Sequence, residues 1–199
     1  IDTESRGLSE KEAYSKVFDI CSRALKQGFD FVYKKVDSTL RGNIVSEVGA
    51  INNCYKPEII IFAPAYPDNG RTTVNGVQRL DGVPISQTEI VGDPKKPVKE
   101  DNIINLLKDG LNDNVIHVGS TDLRNGCVNL SGSRFFTFDA EEKGDLIKAV
   151  QVVLNINKKT LWVGSAGLAD AILQVVKPAR PVLSVVGSVS DVSREQVNF

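Results

Sequence analysis

Methionine is absent from the 199 residues, histidine and tryptophan each occur once, and cysteine occurs three times. Each scarcity removes a class of function. His117, the sole imidazole, sits in a strand-like VIHVG run and reads as a core or edge residue, so a Ser-His-Asp relay has little support. No HExxH and no His/Cys cluster at ligand spacing offers a metal site. Cys21, Cys54 and Cys127 are widely spaced with no CxxC, which suits reduced thiols of a cytoplasmic protein rather than a disulfide framework. The 24 Lys and Arg against 25 Asp and Glu leave a net charge of −1, too small a field to attract nucleic acid or an anionic membrane. Apolar stretches such as Ile59 to Ala65 fall well short of the ~18–20 residues of a membrane helix. No signal-peptide pattern stands at the start. Neither GxxxxGK followed by Ser or Thr, nor GxGxxG, stands after a strand, so the two common nucleotide fingerprints are missing.

What is present is ordinary globular composition, with 41% hydrophobic and 25% charged residues, 16 Gly and 8 Pro. At roughly 150 residues per domain, the length suits one large domain, or one domain and a piece of another. The chain opens at Ile1 without an initiator and reaches Phe199 as a new element begins, so it reads as part of a longer protein.

From Ser9 to Gln27 the apolar positions Ala13, Tyr14, Val17, Phe18, Cys21, Ala24 and Leu25 recur at helical intervals, and Ser9 with Glu12 supplies a capping box. This predicts an amphipathic helix ending at Gly28. A β-rich run over Phe29–Val36 follows, then a helix over Arg41–Tyr55 stopped by Pro57, then a doubly buried apolar strand over Glu58–Ala63. Between Thr73 and Ile85, two short strand-like runs joined around Asp81-Gly82 signal a hairpin. Pro84, Pro94 and Pro97 then mark a loop-rich excursion to about Val98, suited to covering a site.

Alternation resumes with a helix near Glu100–Asp109, a strand at Val115–Val118, a short helix near Thr121–Gly126 and a strand at Arg134–Phe138. A helix over Glu141–Asn155, a strand over Thr160–Val163 and a helix over Ala166–Val176 complete the pattern. After the proline-marked linker from Lys177 to Pro181, another strand begins over Pro181 to Val186. The expected fold is a three-layer α/β/α domain with a mostly parallel sheet and an inserted hairpin and loop excursion, with a domain boundary near residue 178.

Ligands of an open parallel sheet bind beyond the carboxyl ends of its strands. With Ile1–Asp2 read as the close of a strand, Arg6 lies just past it, and Lys35-Val36-Asp37-Ser38 lies just past the next. Pro64 to Thr72 and the Gly164-Ser165-Ala166-Gly167 turn follow two others. Four polar or glycine-bearing turns thus converge on one edge. Arg6, Lys35, Arg41 and Arg71 supply positive charge for a small carboxylic acid, and a guanidinium can hold a carboxylate through two parallel hydrogen bonds. Ser38, Thr39 and Gly42 stand at a helix start whose free N–H groups favour an anion. Asp37 suits either a base or hydroxyl acceptor, or a turn cap; Asp68 and Asn69 could read hydroxyls; Arg71 could instead tie down its own loop. Lys34 reads as a solvated strand-end charge, and GSAGLA as either a closely packed turn or a ligand contact.

The segments KKVDSTLRGN (Lys34–Asn43), APAYPDNGRTTVNGVQRLDGVPISQTE (Ala63–Glu89), DPKKPV (Asp93–Val98), VGSAGLA (Val163–Ala169) and VLSVVGSVS (Val182–Ser190) together resemble the four-carbon acid sugar kinase family, in the expected order over almost the whole chain. The resemblance implies a two-domain ATP-dependent kinase for the terminal hydroxyl of threonate, erythronate or a 3-oxo-tetronate, using Mg2+. Residues 1–177 then correspond to the acid-sugar-binding N-terminal domain, and residues 178–199 to the linker and first segment of the nucleotide-binding domain. Arg6, Lys35, Val36, Asp37 and Ser38 match substrate-contacting positions, with Arg41 and Arg71 as further anion contacts. Asp37 is the candidate catalytic residue, as a base, and Ser188 or Ser190 the candidate contact to ATP. The family's DDxTGA segment, with another substrate-contacting Asp, is expected before residue 1. Partners implied are the acid sugar, ATP and a second copy in a homodimer. A non-catalytic acid-sugar-binding or regulatory module is the alternative, and a hydrolase or aldolase a third, which needs a base or metal not offered here.

Overall fold

The structure, a computed structural model, describes residues 1–29, 31–92, 97–98, 100–176 and the backbone of 182–186. Helix α1 (Glu10–Leu25) begins as its sequence dictates: Ser9 Oγ accepts from the Glu12 N–H at 3.3 Å, and Glu12 accepts from the Ser9 N–H at 3.0 Å. There follow β1 (Phe31–Lys35), α2 (Ile44–Tyr55) and β2 (Ile59–Ala63), then the excursion with β3 (Arg71–Val74), β4 (Val77–Leu80) and β5 (Val83–Pro84). The order continues with α3 (Ile103–Leu111), β6 (Val115–Val118), α4 (Ser120–Asn125), β7 (Phe135–Phe138), α5 (Lys143–Asn155), β8 (Thr160–Gly164), α6 (Ala166–Val175) and β9 (Val182–Val186).

The described strands form a six-stranded parallel sheet in the order β6-β7-β2-β8-β1-β9, and a small antiparallel sheet β3-β4-β5. Parallel neighbours need long crossovers, so helices cover both faces and the strands between them must be apolar on both sides. Strand β2 shows this directly. Ile60 and Phe62 join one core with Val17 of α1, Val48 of α2 and Leu107 of α3, whereas Ile59, Ile61 and Ala63 join the other with Leu146 of α5 and Leu168 of α6. The three-layer arrangement expected from the sequence is the one observed.

Three local expectations change. First, the helix expected from Arg41 begins at Ile44, because Leu40 and Gly42 lie at φ of 61° and 108°, where an α-helix cannot run. Second, the excursion makes two consecutive hairpins rather than one. Asn75-Gly76 turns β3 into β4, and Asp81-Gly82 turns β4 toward β5, all four residues at positive φ as tight primed turns require. Third, Lys34 is not a solvated charge: its side chain is fully buried.

The first hairpin of the excursion is pinned to the rim of the large sheet at two points. Asp139, just after β7, accepts from the N–H groups of Asn75 and Gly76, each at 2.9 Å. Gln78 of β4 donates to the Ser38 carbonyl at 2.7 Å. The glycines of the β8–α6 turn serve close packing. A Cβ on Gly164 would stand 2.6 Å from the Ala63 carbonyl oxygen, and one on Gly167 2.6 Å from that of Ala65. Gly164→Ala is therefore expected to lower stability by about 1–3 kcal/mol through overpacking. Urea unfolding measures this directly, and an unshifted midpoint would contradict the packing role.

Candidate functional site

The chain leaves β1 into α2 on one face of the sheet and leaves β8 into α6 on the other, so the carboxyl ends of these adjacent strands form a switch point. Hydrogen bonds weld the turns there. The Val36 N–H donates to the Gly164 carbonyl at 2.8 Å, the Tyr33 hydroxyl donates to the Ser165 carbonyl, and Ser165 Oγ donates to the Ala65 carbonyl at 2.9 Å. The turns after β1, β8 and β2 thus share one rim.

Beyond β1 the chain makes a tight turn, with the Leu40 N–H donating to the Asp37 carbonyl at 3.0 Å. Asp37 organises it with its side chain. Its Oδ1 accepts from the N–H and Oγ1 of Thr39 at 3.1 and 3.0 Å, which is the Asx-type contact that makes Asp a turn former. Its Oδ2 accepts from Arg41 Nε at 2.6 Å and lies 3.9 Å from an Arg6 guanidinium nitrogen. Arg6 reaches this point from the 3–8 segment, far away in sequence. Two arginines therefore meet on one carboxylate.

Lys35 adds a third cation. Its Nζ donates to the Val36 carbonyl at 3.1 Å, and partial burial pushes the ammonium below the ordinary lysine range, while the Asp37 charge pulls it back up and Lys34 pushes it further down. Arg6, Arg41 and Lys35 thus gather at the Asp37 carboxylate. Arg6, Asp37 and Arg41 keep only 23%, 15% and 30% of their side-chain exposure, so these charges are partly desolvated yet open. Such a site suits a small anion with hydroxyls.

Of the other expected site residues, Val36 is buried and contributes its backbone, and the Ser38 carbonyl is taken by Gln78. Arg71 donates to the Asn69 carbonyl and closes its own loop, where Tyr66 and Arg71 form an antiparallel bridge. Asp68 lies 3.8 Å from Lys143 of α5. Ser188 and Ser190 lie outside the described residues. The sequence reading missed Lys34, whose Nζ lies 2.6 Å from Oε2 of the buried Glu47. It also missed a cluster at the far end of the sheet, where His117 places Nδ1 2.8 Å from Thr137 Oγ1 and Nε2 3.2 Å from Asp139 Oδ1. No group of three or more His, Cys, Asp or Glu that could hold a metal ion occurs among the described residues.

Fold and site together define a doubly wound α/β domain with a cluster of cationic side chains at its switch point. The chain belongs to the family of sugar-binding N-terminal domains, whose profile matches residues 1–172. Among curated relatives, it is 34% identical to a D-threonate kinase of Salmonella typhimurium over all of this chain and 50% of that protein. It is 28% identical to a D-erythronate kinase of Heliobacterium modesticaldum, over 99% of this chain and 48% of that protein. It is also 29% identical to a 3-oxo-tetronate kinase of Brucella melitensis, over 72% of this chain and 35% of that protein. The chain spans about half the length of the first two. A crystal structure of a domain of unknown function from Bordetella bronchiseptica, a domain swapped dimer with bound citrate, matches with a TM-score of 0.73 at 28% identity, covering 86% of this chain and 43% of that one.

Proposed function

We propose that this domain holds the substrate of an ATP-dependent kinase acting on the terminal hydroxyl of a four-carbon acid sugar, a threonate, erythronate or 3-oxo-tetronate. The observation that carries the reading is the meeting of Arg6 and Arg41 on Asp37, beside the partly buried Lys35, at the switch point of the sheet. Arg6 and Lys35 would grip the carboxylate, with Arg41 as a further anion contact, while Arg71 closes its own loop. Asp37 and Ser38 would orient hydroxyls, Asp37 being the candidate catalytic base, and Val36 would line the floor. The kinase names of the relatives support this reading, as does the citrate, a hydroxylated carboxylic acid, bound in the crystal structure of the Bordetella relative.

ATP and Mg2+ are assigned outside the described residues, with Ser188 and Ser190 as candidate nucleotide contacts; residues 178–199, whose strand β9 pairs with β1 in this sheet, are read as the linker and first segment of the nucleotide-binding half. A homodimer is proposed alongside, supported by the swapped dimer of the Bordetella relative, and a cytoplasmic location by the reduced-thiol pattern. No helix of the described residues is long and apolar enough to cross a membrane. A thermal-shift screen of the full-length protein against four-carbon acids, with and without MgATP, tests the reading, since a ligand that binds only the folded state raises Tm. Stabilisation by at least one tetronate is expected; no shift with any of them would contradict it.

The lowered Lys35 ammonium gives this binding a pH signature. Because the folded protein holds that proton less tightly than the unfolded chain, the cost of burying the charge is present at low pH and is relieved as pH rises through the lowered value. Binding runs the other way: a carboxylate beside Nζ favours the charged form, so affinity falls as pH rises through the lowered value, and binding takes up protons there. Calorimetry in buffers of different ionisation enthalpy measures that uptake. Affinity that stays flat with pH up to the ordinary lysine range would contradict it.

A further inference from the structure

We infer that the buried Lys34–Glu47 pair, with Ser5 and Thr3, is a positioning device that fixes the segment carrying Arg6 against the turn carrying Lys35, so that both cations address one anion. The inference rests on the reading that Arg6 and Lys35 hold the acid.

Neighbouring residues of a strand point to opposite faces. In β1, Lys34 shares its parity with Val32, which lies in the core under α1 and α2, and the Lys34 side chain is fully buried. Its Nζ lies 2.6 Å from Glu47 Oε2 and donates to the Lys35 carbonyl at 3.0 Å, so the charge is anchored to the backbone of the very residue that carries the site's third cation. The other Glu47 oxygen, Oε1, accepts from Ser5 Oγ at 2.6 Å, and Ser5 Oγ lies 2.7 Å from Thr3 Oγ1. One turn earlier on the same helix end, Asn43 Nδ2 donates to the carbonyls of Ser5 and Leu8, each at 2.9 Å. Thr3, Ser5, Asn43 and Glu47 are all buried.

Three segments far apart in the chain, 3–8, 31–35 and 43–47, are therefore joined by directional bonds within a low-dielectric interior. An apolar contact tolerates sliding, whereas a hydrogen-bonded charge pair does not. Buried ion pairs add little net stability compared with well-packed apolar residues of similar volume. What this pair supplies is register: Glu47 grips Lys34 with one oxygen and the Arg6 segment with the other.

The test uses the full-length protein carrying this chain, as wild type, as the double variant Lys34→Met/Glu47→Leu, and as Ser5→Ala. The double variant removes both charges and the Ser5 acceptor together while keeping apolar volume, so its Tm is expected within about 5 °C of wild type. Hydrogen exchange at the amides of residues 4–8 is expected to accelerate by about 10-fold or more, while the amides of α2 keep their protection. Calorimetry with sodium D-threonate and sodium D-erythronate is expected to show acid affinity down by about 10-fold or more, with MgATP affinity unchanged. Ser5→Ala should show the same directions with smaller size, and it alone decides the matter if the double variant does not fold. Unchanged exchange at residues 4–8, or unchanged acid affinity in a folded variant, would overturn the positioning role. A wild type that binds neither acid overturns the reading of the site instead, and the exchange data still decide whether the pair holds the segment.

Discussion

Lys35→Met is expected to weaken acid-sugar binding by about 100-fold while leaving the melting temperature unchanged or slightly raised. Both halves follow from the same geometry. The Lys35 ammonium is held partly out of water, and that burial already pushes it toward the neutral form, so a thioether of similar length removes a desolvation cost. Binding loses a charge-assisted contact to the carboxylate, and contacts of that kind contribute up to about 3 kcal/mol, a factor near 100 in affinity. Loss of binding with retained or improved stability is the mark of a residue kept for function. Arg6→Ala should lose affinity to a similar extent. Calorimetric titration with tetronates, paired with melting curves, checks both variants; a Lys35→Met protein that binds as wild type would remove Lys35 from the site.

The second large effect lies beneath the site. Glu47→Gln leaves the Lys34 ammonium fully buried opposite a neutral amide, an arrangement expected to cost about 3–5 kcal/mol of folding stability. Domains of this size are commonly stable by only about 5–15 kcal/mol, so the variant should sit close to the edge of folding at physiological temperature. Lys34→Met is expected to cost less, because Glu47 keeps the hydrogen bond from Ser5. Urea unfolding of wild type, both single variants and a Lys34→Met/Glu47→Gln double variant closes a cycle that isolates the coupling between the two charges. A double variant whose loss equals the sum of the singles would show that the pair is not coupled.

The parts of this architecture that the sequence displayed were those with local causes. The Ser9–Glu12 box sets the start of α1, the uninterrupted Ile59–Phe62 run announces a strand buried on both faces, and Lys35–Ser38 follow β1 as expected, whereas the strand expected to close at Ile1–Asp2 ahead of Arg6 is not among the described strands of the sheet. The parts it hid depend on partners distant in the chain. Lys34 reads as a solvated end because alternation along the strand points it away from Lys35; its partner is 13 residues on, in another element. One signal could have exposed it. Glu47 stands within the apolar stripe Ile44, Val48, Ile51 and Tyr55 of α2, and a carboxylate on a buried stripe requires a buried donor. The link between His117, Asp139 and the Asn75–Gly76 turn is likewise made by pairing across β6, β7 and the excursion, so no single segment foretells it. The late start of α2 is a backbone matter: Leu40 at positive φ is an unusual conformation for a branched residue, held by the Asp37 turn, and periodicity carries no trace of it.

The central claim is that Arg6 and the Lys35–Ser38 turn share one small hydroxylated anion at the switch point of the sheet. A crystal structure of the protein with the tetronate that most raises its Tm tests this most directly. The account predicts the carboxylate within hydrogen-bonding distance of both the Arg6 guanidinium and Lys35 Nζ, with substrate hydroxyls on Asp37 and Ser38. A tetronate bound elsewhere on the domain, with Arg6 and Lys35 untouched, would contradict it.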